Sequence, residues 1–89
     1  MKKTPYLAIL PALNMFNQIQ AELNKTPVDV SEIDHIVKEY NMNNTPNLSC
    51  NATHVEVKDT NEWRVFIRFD HDTSFIIEVN KKGWTSIWT

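Results

Sequence analysis

Six side chains in this sequence are the first candidates for binding a metal or for acting as nucleophile and base. They are one thiol, three imidazoles and two carboxylates: Cys50, His35, His54, His71, Asp70 and Asp72. Zinc sites usually place two ligands at close, regular spacing, as in C-x-x-C or H-x-x-x-H. Neither spacing occurs here, so the sequence predicts no metal and no cofactor. His71, between two aspartates, is typical of a polar turn.

A nucleophile with its base is the second chemical candidate. Cys50 and His54 lie four residues apart at the entrance of a predicted strand, and a thiolate beside a histidine can attack an electrophile. No third polar group or oxyanion donor is evident near them. The single glycine also excludes phosphate-binding and dinucleotide-binding loops, which need several. The sequence therefore favours a protein that is not an enzyme, with Cys50 as a small buried side chain.

Composition sets the broad class of the protein. The 89 residues fit one domain, residues 1–89. Nine Lys and Arg against eleven Asp and Glu give a net charge of −2, which neither attracts nucleic acid nor imitates it. One cysteine cannot form an internal disulfide, and no apolar run approaches the roughly 20 residues that span a bilayer. We expect a cytoplasmic protein that does not enter a membrane; a signal peptide is a weaker alternative.

Hydrophobic residues recur at helical spacing in the first half of the chain. This spacing predicts helices over 12–24 and 27–41, within a helical part of about 5–41. Thr26-Pro27 is the expected start of the second helix, and Ser31 is an alternative. Pro11 leaves two possibilities, a helix that begins there or a longer helix kinked there. Turn-forming residues predict a loop over 42–52.

Alternation at period two predicts a sheet over 53–89. The expected strands are 53–58, 63–69, 75–80 and 84–88, and the segments between them are too short for parallel crossovers. The sheet is therefore predicted to be an antiparallel meander with both helices on one face, an α+β fold.

Three-residue loops at 59–61, 70–72 and 81–83 would fix the register of this sheet. One face then becomes the core, with Val55, Val57, Trp63, Val65, Ile67, Phe69, Phe75, Ile77, Val79 and Ile87. On the other face, the same register predicts a row of opposite charges made by Glu56, Arg64 and Glu78.

An aromatic patch is the most informative consequence of that register. Phe66 falls opposite Ile76, Ile76 falls opposite Trp88, Trp84 shares the face, and Arg68 lies at the margin. Such a patch is larger than a small monomer usually exposes, and Trp and Arg often anchor protein interfaces. We therefore predict that these five residues bind a partner.

Three other arrangements would hide this patch. The segment 6–10 could fold across it, a helix could pack on it, or a one-residue error in register would return Trp84 and Trp88 to the core.

The sequence thus predicts a small protein-binding module that acts stoichiometrically. Its size, and an abundance of Asn, Ile and Lys typical of AT-rich genomes, fit a phage or mobile-element inhibitor of the anti-CRISPR or anti-defence kind, or a toxin antidote. A homodimer through the same patch is a further expectation. The alternative is a module for single-stranded nucleic acid, with Phe66, Trp84 and Trp88 stacking bases beside Arg64 and Arg68. The slightly acidic net charge weakens that alternative.

Overall fold

Two helices followed by four strands make up the described part of the chain. This computed structural model describes residues 9–88, apart from the side chains at positions 72, 74, 75 and 88. The elements are α1 (Leu13–Leu23), α2 (Val30–Asn43), β1 (Cys50–Val57), β2 (Glu62–Phe69), β3 (Asp72–Asn80) and β4 (Gly83–Trp88). The strands form one antiparallel sheet in chain order, and both helices pack on the same face of it. The predicted α+β fold is confirmed; the predicted helical residues 5–8 lie outside the described part.

Helix α1 has the apolar face that its spacing predicted. Phe16, Ile19 and Leu23 are buried against the sheet. A 3-10 turn, Leu10–Ala12, leads directly into the helix. Pro11 lies in this turn, where its missing amide proton removes no hydrogen bond of the helix. Ile9, before this turn, is itself α-helical, so within residues 9–88 helical structure lies on both sides of Pro11 and does not begin there; the chain passes Pro11 in 3-10 rather than α-helical geometry.

Helix α2 begins at a different residue from the one predicted. Its N-cap is Asp29, whose carboxylate accepts hydrogen bonds from the Ser31 amide at 3.0 Å and the Ser31 hydroxyl at 2.6 Å. Aspartate is among the best N-cap residues because its side chain satisfies an amide that the first turn leaves unpaired. Thr26 and Pro27 belong instead to the connection between the helices, where their peptide bond is cis. The cap at Asp29, rather than Thr26, sets the start of α2.

The connection from α2 to the sheet is shorter than predicted. The loop expected over 42–52 spans only 44–49, because α2 continues to Asn43 and β1 starts at Cys50. A second 3-10 turn, Pro46–Leu48, lies within it. The Tyr40 hydroxyl donates a hydrogen bond to the Leu48 carbonyl at 2.9 Å, which fixes this turn against α2.

The first and last turns of the sheet differ from prediction by one residue, and so does the middle turn, where a shift in register compensates. Val57 pairs with Glu62, so four residues rather than three join β1 to β2. Asn80 pairs with Gly83, so two residues rather than three join β3 to β4. Because side chains alternate along a strand, the change in the first turn reverses the face of every residue of β1. The change in the last turn does the same for β4.

In the middle turn, Phe69 pairs with Asp72, so two residues rather than three join β2 to β3, and a register shift between Ile67 and Phe69 leaves the faces of both strands as predicted. Phe66 pairs with Glu78, so its predicted place opposite Ile76 was wrong.

The sheet residues of the core therefore come mainly from the two central strands. Five predicted core residues are confirmed as buried: Val65, Ile67, Phe69, Ile77 and Val79. Cys50 is buried on β1, with Ala52 packed beside it. The predictions for Val55, Val57 and Ile87 were wrong, because the changed first and last turns place all three on the face away from the helices. Trp63 is half-buried against the core as predicted, while the Phe75 side chain is outside the description.

Candidate functional site

The face of the sheet turned away from the helices is the candidate site, and we call it the outer face. Strand alternation assigns to it the residues that alternate with the buried positions: Asn51, Thr53, Val55, Val57, Glu62, Arg64, Phe66, Arg68, Ile76, Glu78, Asn80, Thr85 and Ile87. Within residues 9–88, no helix packs on this face. Antiparallel sheets with one solvated face normally alternate polar residues on that side. Five of these thirteen residues are apolar.

An apolar stripe of four residues, Val55, Phe66, Ile76 and Ile87, crosses the outer face diagonally. Ile76 lies directly opposite Ile87. Phe66 lies opposite Thr53 on one side and Glu78 on the other, so its diagonal neighbours are Val55 and Ile76. Diagonal neighbours in a sheet are within reach of an aromatic side chain. The stripe thus takes one apolar residue from each of the four strands.

The exposure of the stripe is greatest at its two ends. Val55 is 44 % exposed and Ile87 is 38 % exposed, while Phe66 and Ile76 are half-buried. Single exposed aliphatic residues are ordinary on protein surfaces. Four adjacent apolar side chains on one face of a sheet are less ordinary, and such patches often mark sites of contact with other molecules.

Charged side chains flank the stripe. Arg64 Nε lies 3.9 Å from Glu78 Oε2, which confirms one of the two predicted ion pairs. Glu56 lies opposite Trp63 on the helix side of the sheet, so its predicted place beside Arg64 was wrong. Arg68 is exposed opposite Asn51, and no ion pair of its guanidinium is found within residues 9–88.

Trp84 does not lie on the outer face, where it was predicted. Trp84 lies opposite Val79, and its ring packs against Phe16 of α1 with centroids 5.1 Å apart. Its predicted place beside Phe66 was wrong, because the shorter β3–β4 turn directs it toward the helices. Trp88 pairs with Phe75, at a strand position in phase with Trp84 rather than with Ile87. The Trp88 side chain itself lies outside the description.

Of the five predicted partner-binding residues, the structure brings three together on the outer face: Phe66, Ile76 and Arg68. Sequence reasoning missed Val55 and Ile87, which it had assigned to the core. A four-residue first turn and a two-residue last turn would have placed Val55 and Ile87 on the outer face. Asn61 and Gly83 fit turns of these lengths as well as the assumed three-residue turns.

The Cys50 thiol is not built as a nucleophile. Its residue is 2 % exposed, and burial raises the pKa of the thiol to about 12, so the thiolate that attacks electrophiles is scarce at neutral pH. His54 follows four residues later on the same strand, a separation of about 13 Å along an extended chain. The cysteine and histidine considered as a catalytic pair are therefore apart, and the prediction of a buried Cys50 is confirmed.

The histidines have local partners. The His54 Nε2 atom lies 3.4 Å from Asp34 Oδ1, and the His35 Nε2 atom lies 2.9 Å from Glu39 Oε2. The ring of His71 packs on Phe69 at 5.6 Å between centroids. Among the side chains that the structure describes, no three from His, Cys, Asp or Glu are grouped so as to hold a metal ion; the Asp72 side chain lies outside the description.

No family model, curated protein or solved structure matches this chain. In the described part of the chain, neither helix is long and apolar enough to cross a membrane.

Proposed function

We propose that this protein is a small binding module that associates stoichiometrically with another protein through the outer face of its sheet. The observation that carries the proposal is the apolar stripe of Val55, Phe66, Ile76 and Ile87 on a face that neither described helix covers. Removing such a surface from water on association is favourable by roughly 25 cal/mol per Å² of apolar area. The stripe is therefore the natural centre of a contact.

The surroundings of the stripe fit a protein partner. Interfaces usually have an apolar centre with a polar, hydrogen-bonding rim, and arginine is enriched in them. Arg68 and the Arg64–Glu78 pair supply such a rim on the outer face. Phe66 is the central aromatic side chain, half-buried in the sheet before any partner binds, so little conformational entropy is lost when it is covered.

Single-stranded nucleic acid is the weaker candidate. Base-stacking sheets use several aromatic side chains on the open face, and Trp84 instead packs against Phe16. Arg64 is already paired with Glu78, and the net charge of the chain is −2. Neutralisation of the phosphate backbone, which supplies most of the affinity in such modules, is correspondingly weak.

The biological role that we attach to this module is inhibition in the cytoplasm, of the kind encoded by phages and mobile elements or by toxin antidotes. A bound domain of this size would act sterically, by covering a surface that its target needs. The support is the small size and the lack of a catalytic constellation within residues 9–88. The analogy is one of size and surface, and it carries no homology.

The test compares three proteins as baits in lysate of the host cell. The double variant Val55→Thr with Ile87→Thr keeps β-branched side chains in both edge strands but removes the apolar ends of the stripe. Leu10→Gln is the matched control, since Leu10 is 43 % exposed and lies in the 3-10 turn. We expect one protein to be retained by the wild type and by Leu10→Gln, and to bind the double variant at least about tenfold more weakly.

Two results would contradict the proposal. Equal capture by all three baits would place the contact elsewhere. Tighter binding to single-stranded oligonucleotides than to any protein, with a steep loss on adding salt, would favour the nucleic-acid alternative.

A further inference from the structure

The open edge of strand β1 is a second surface, separate from the outer face. β1 is the first strand of the sheet and pairs on one side only, with β2. At Cys50, the first residue of β1, the Asn41 side chain makes the hydrogen bonds that a neighbouring strand would make. The Asn41 amide donates to the Cys50 carbonyl at 2.9 Å, and its oxygen accepts from the Cys50 amide at 3.0 Å. Both backbone groups of Cys50 therefore point away from β2.

The direction of the Cys50 groups fixes that of every second residue along β1. In an antiparallel strand, the amide and carbonyl of one residue point to the same side, and consecutive residues alternate. Ala52, His54 and Glu56 thus present their amides and carbonyls at the open edge. Within residues 9–88, no other strand or helix supplies a hydrogen bond to these outward groups. Three residues of the edge are available to a further strand.

A groove runs between this edge and α2. Its helical wall includes Val37, Lys38 and Met42, and Ala52 lies on its strand side. Met42 is 74 % exposed, the largest value among the exposed large hydrophobic residues of the described chain. The small Ala52 side chain leaves space between the strand and the helix. The groove can therefore accept an aliphatic side chain at the level of Ala52.

The charge along the groove is not uniform. Asp34 contacts His54 at 3.4 Å at the end that is farther from Cys50. Glu56 lies just beyond this end, in a cavity that Lys25 also lines, and the Lys25 charge is balanced by Glu22 at 3.0 Å. Lys38 lies one helical turn after Asp34, toward the other end. The carboxylates of Asp34 and Glu56 therefore favour a positive side chain of a ligand at the Glu56 end, and Lys38 disfavours one at the other end.

We propose that this groove binds an extended segment of another protein as a fifth strand, antiparallel to β1. The segment carries a basic residue opposite Glu56 and, four residues later, an aliphatic residue opposite Ala52. Strand addition to an open edge, with alternate side chains in pockets, is a recurrent mode of peptide recognition. The proposal concerns a surface that the outer-face function does not use, and it stands or falls independently of that function.

A second copy of this chain fits the edge poorly. Helix α2 packs over β1, so pairing two β1 edges would bring two α2 helices together at about one strand spacing, 4.8 Å. Packed helices need about 8–10 Å between their axes. An extended segment without a helix above it avoids this clash.

The test titrates the protein with a short peptide that has arginine, three threonines and valine in sequence, flanked by serines. Chemical shifts of the backbone amides are followed by NMR. We expect saturable changes at Ala52, His54 and Glu56, with a Kd at or below about 1 mM. Chemical-shift changes confined to the outer face would overturn the proposal, as would the absence of any change at a peptide concentration of about 1 mM.

Variants of the protein and of the peptide test the backbone pairing itself. Ala52→Pro removes an outward amide without breaking the ladder to β2, and we expect it to weaken binding about tenfold, whereas Ala52→Val should not. If Ala52→Pro fails to fold, N-methylation of the peptide gives the same test. Methyl groups on the residues facing Glu56 and Ala52 should abolish binding, and methyl groups on the alternate residues should not. Equal effects of the two methylations would overturn the proposal.

One further variant separates this proposal from the outer-face function. Ile87→Thr alters the outer face on the opposite edge strand and should leave peptide binding unchanged. A loss of peptide binding in Ile87→Thr would contradict the independence of the two surfaces.

Discussion

Trp84 is the residue that most clearly distinguishes this structure from the arrangement predicted by the sequence. Its ring packs on Phe16 at the interface of β4 and α1. We therefore expect Trp84→Ala to lower the free energy of unfolding by about 3 kcal/mol, because it opens a cavity against the helix. Ile87→Ala, on the opposite face of the same strand, should cost less than about 1 kcal/mol. Urea unfolding of both variants checks this, and a larger cost for Ile87 would contradict the assigned register.

Cys50 predicts a pH dependence of stability at the alkaline end. Burial raises the pKa of its thiol to about 12, whereas an unfolded cysteine titrates at about 8.5. A raised pKa in the folded state means that the contribution is complete below the unfolded pKa and is lost as pH rises toward the folded one. Burial also raises the pKa of Tyr40 to about 12, with the same sign. The free energy of unfolding should therefore decrease from about pH 8.5 upward, because the Cys50 thiol ionises in the unfolded chain but not in the folded one.

Cys50→Ala separates the two contributions. The variant retains Tyr40, which in the unfolded chain titrates at about 10, so the decline should begin more than a pH unit later than in the wild type. Guanidinium denaturation measured between pH 7 and 11, roughly the range bounded by these values, gives the onset. The same onset in both proteins would show that Cys50 does not titrate as described.

Glu22 is a buried carboxylate that holds the connection between the two helices. Its side chain is 4 % exposed, pairs with Lys25 Nζ at 3.0 Å and accepts the Asp29 amide proton at 3.0 Å. Glu22→Ala leaves that amide without its acceptor, and we expect a loss of about 2 kcal/mol in the free energy of unfolding. Glu22→Gln keeps an accepting oxygen and should lose about half as much. Equal losses, measured by urea unfolding, would mean that the ion pair dominates.

At the scale of elements, the turns decide which face each strand presents. Gly83 has a φ of +145°, which side-chain-bearing residues rarely adopt, although a Cβ there would contact nothing. Gly83→Ala should therefore cost about 1–2 kcal/mol through backbone strain alone. Asn61, with a φ of 55°, occupies the left-handed region that glycine also accepts. Asn61→Gly should stay within about 0.5 kcal/mol of the wild type in thermal or urea unfolding; a reversed order would contradict the turn assignment.

These turns also show how far the sequence could predict the elements. Asn61 and Gly83 mark the positions of two turns from their residue types alone, and the period-two pattern predicts four strands in chain order. The number of residues in each turn is not encoded as strongly, because both glycine and asparagine fit turns of two to four residues. Since one residue reverses a face, small errors in two turns moved Val55, Ile87 and Trp84 to the wrong sides.

The helices were predictable for a different reason. An apolar face at helical spacing averages over several turns, so the faces of α1 and α2 survive errors at their ends. The start of α2 was predicted at Thr26 but lies at Asp29, because two consecutive sequence signals, Thr26-Pro27 and Asp29-x-Ser31, compete for the cap. Only the hydrogen bonds to Asp29 decide between them.

At the scale of the whole molecule, two helices cover one side of a four-stranded sheet and leave the other side to a stripe drawn from all four strands. The candidate site could be predicted in part, since Phe66, Ile76 and Arg68 lie on central strands whose faces do not depend on the lengths of the first and last turns. Val55 and Ile87, on the edge strands, could not. The outer face therefore has fewer aromatic side chains than predicted and more exposed aliphatic ones, a change that favours protein over nucleic acid.

The central claim is that a partner protein contacts the outer face, and site-specific photocrosslinking tests it most directly. Benzoylphenylalanine placed at position 87 or at position 10, two sites of similar exposure, is irradiated in host lysate with each protein folded to the same extent. We predict a covalent adduct with one protein from position 87 and none from position 10. An adduct from position 10 alone, or from neither position while the wild type still captures a partner, would contradict the outer face as the binding surface.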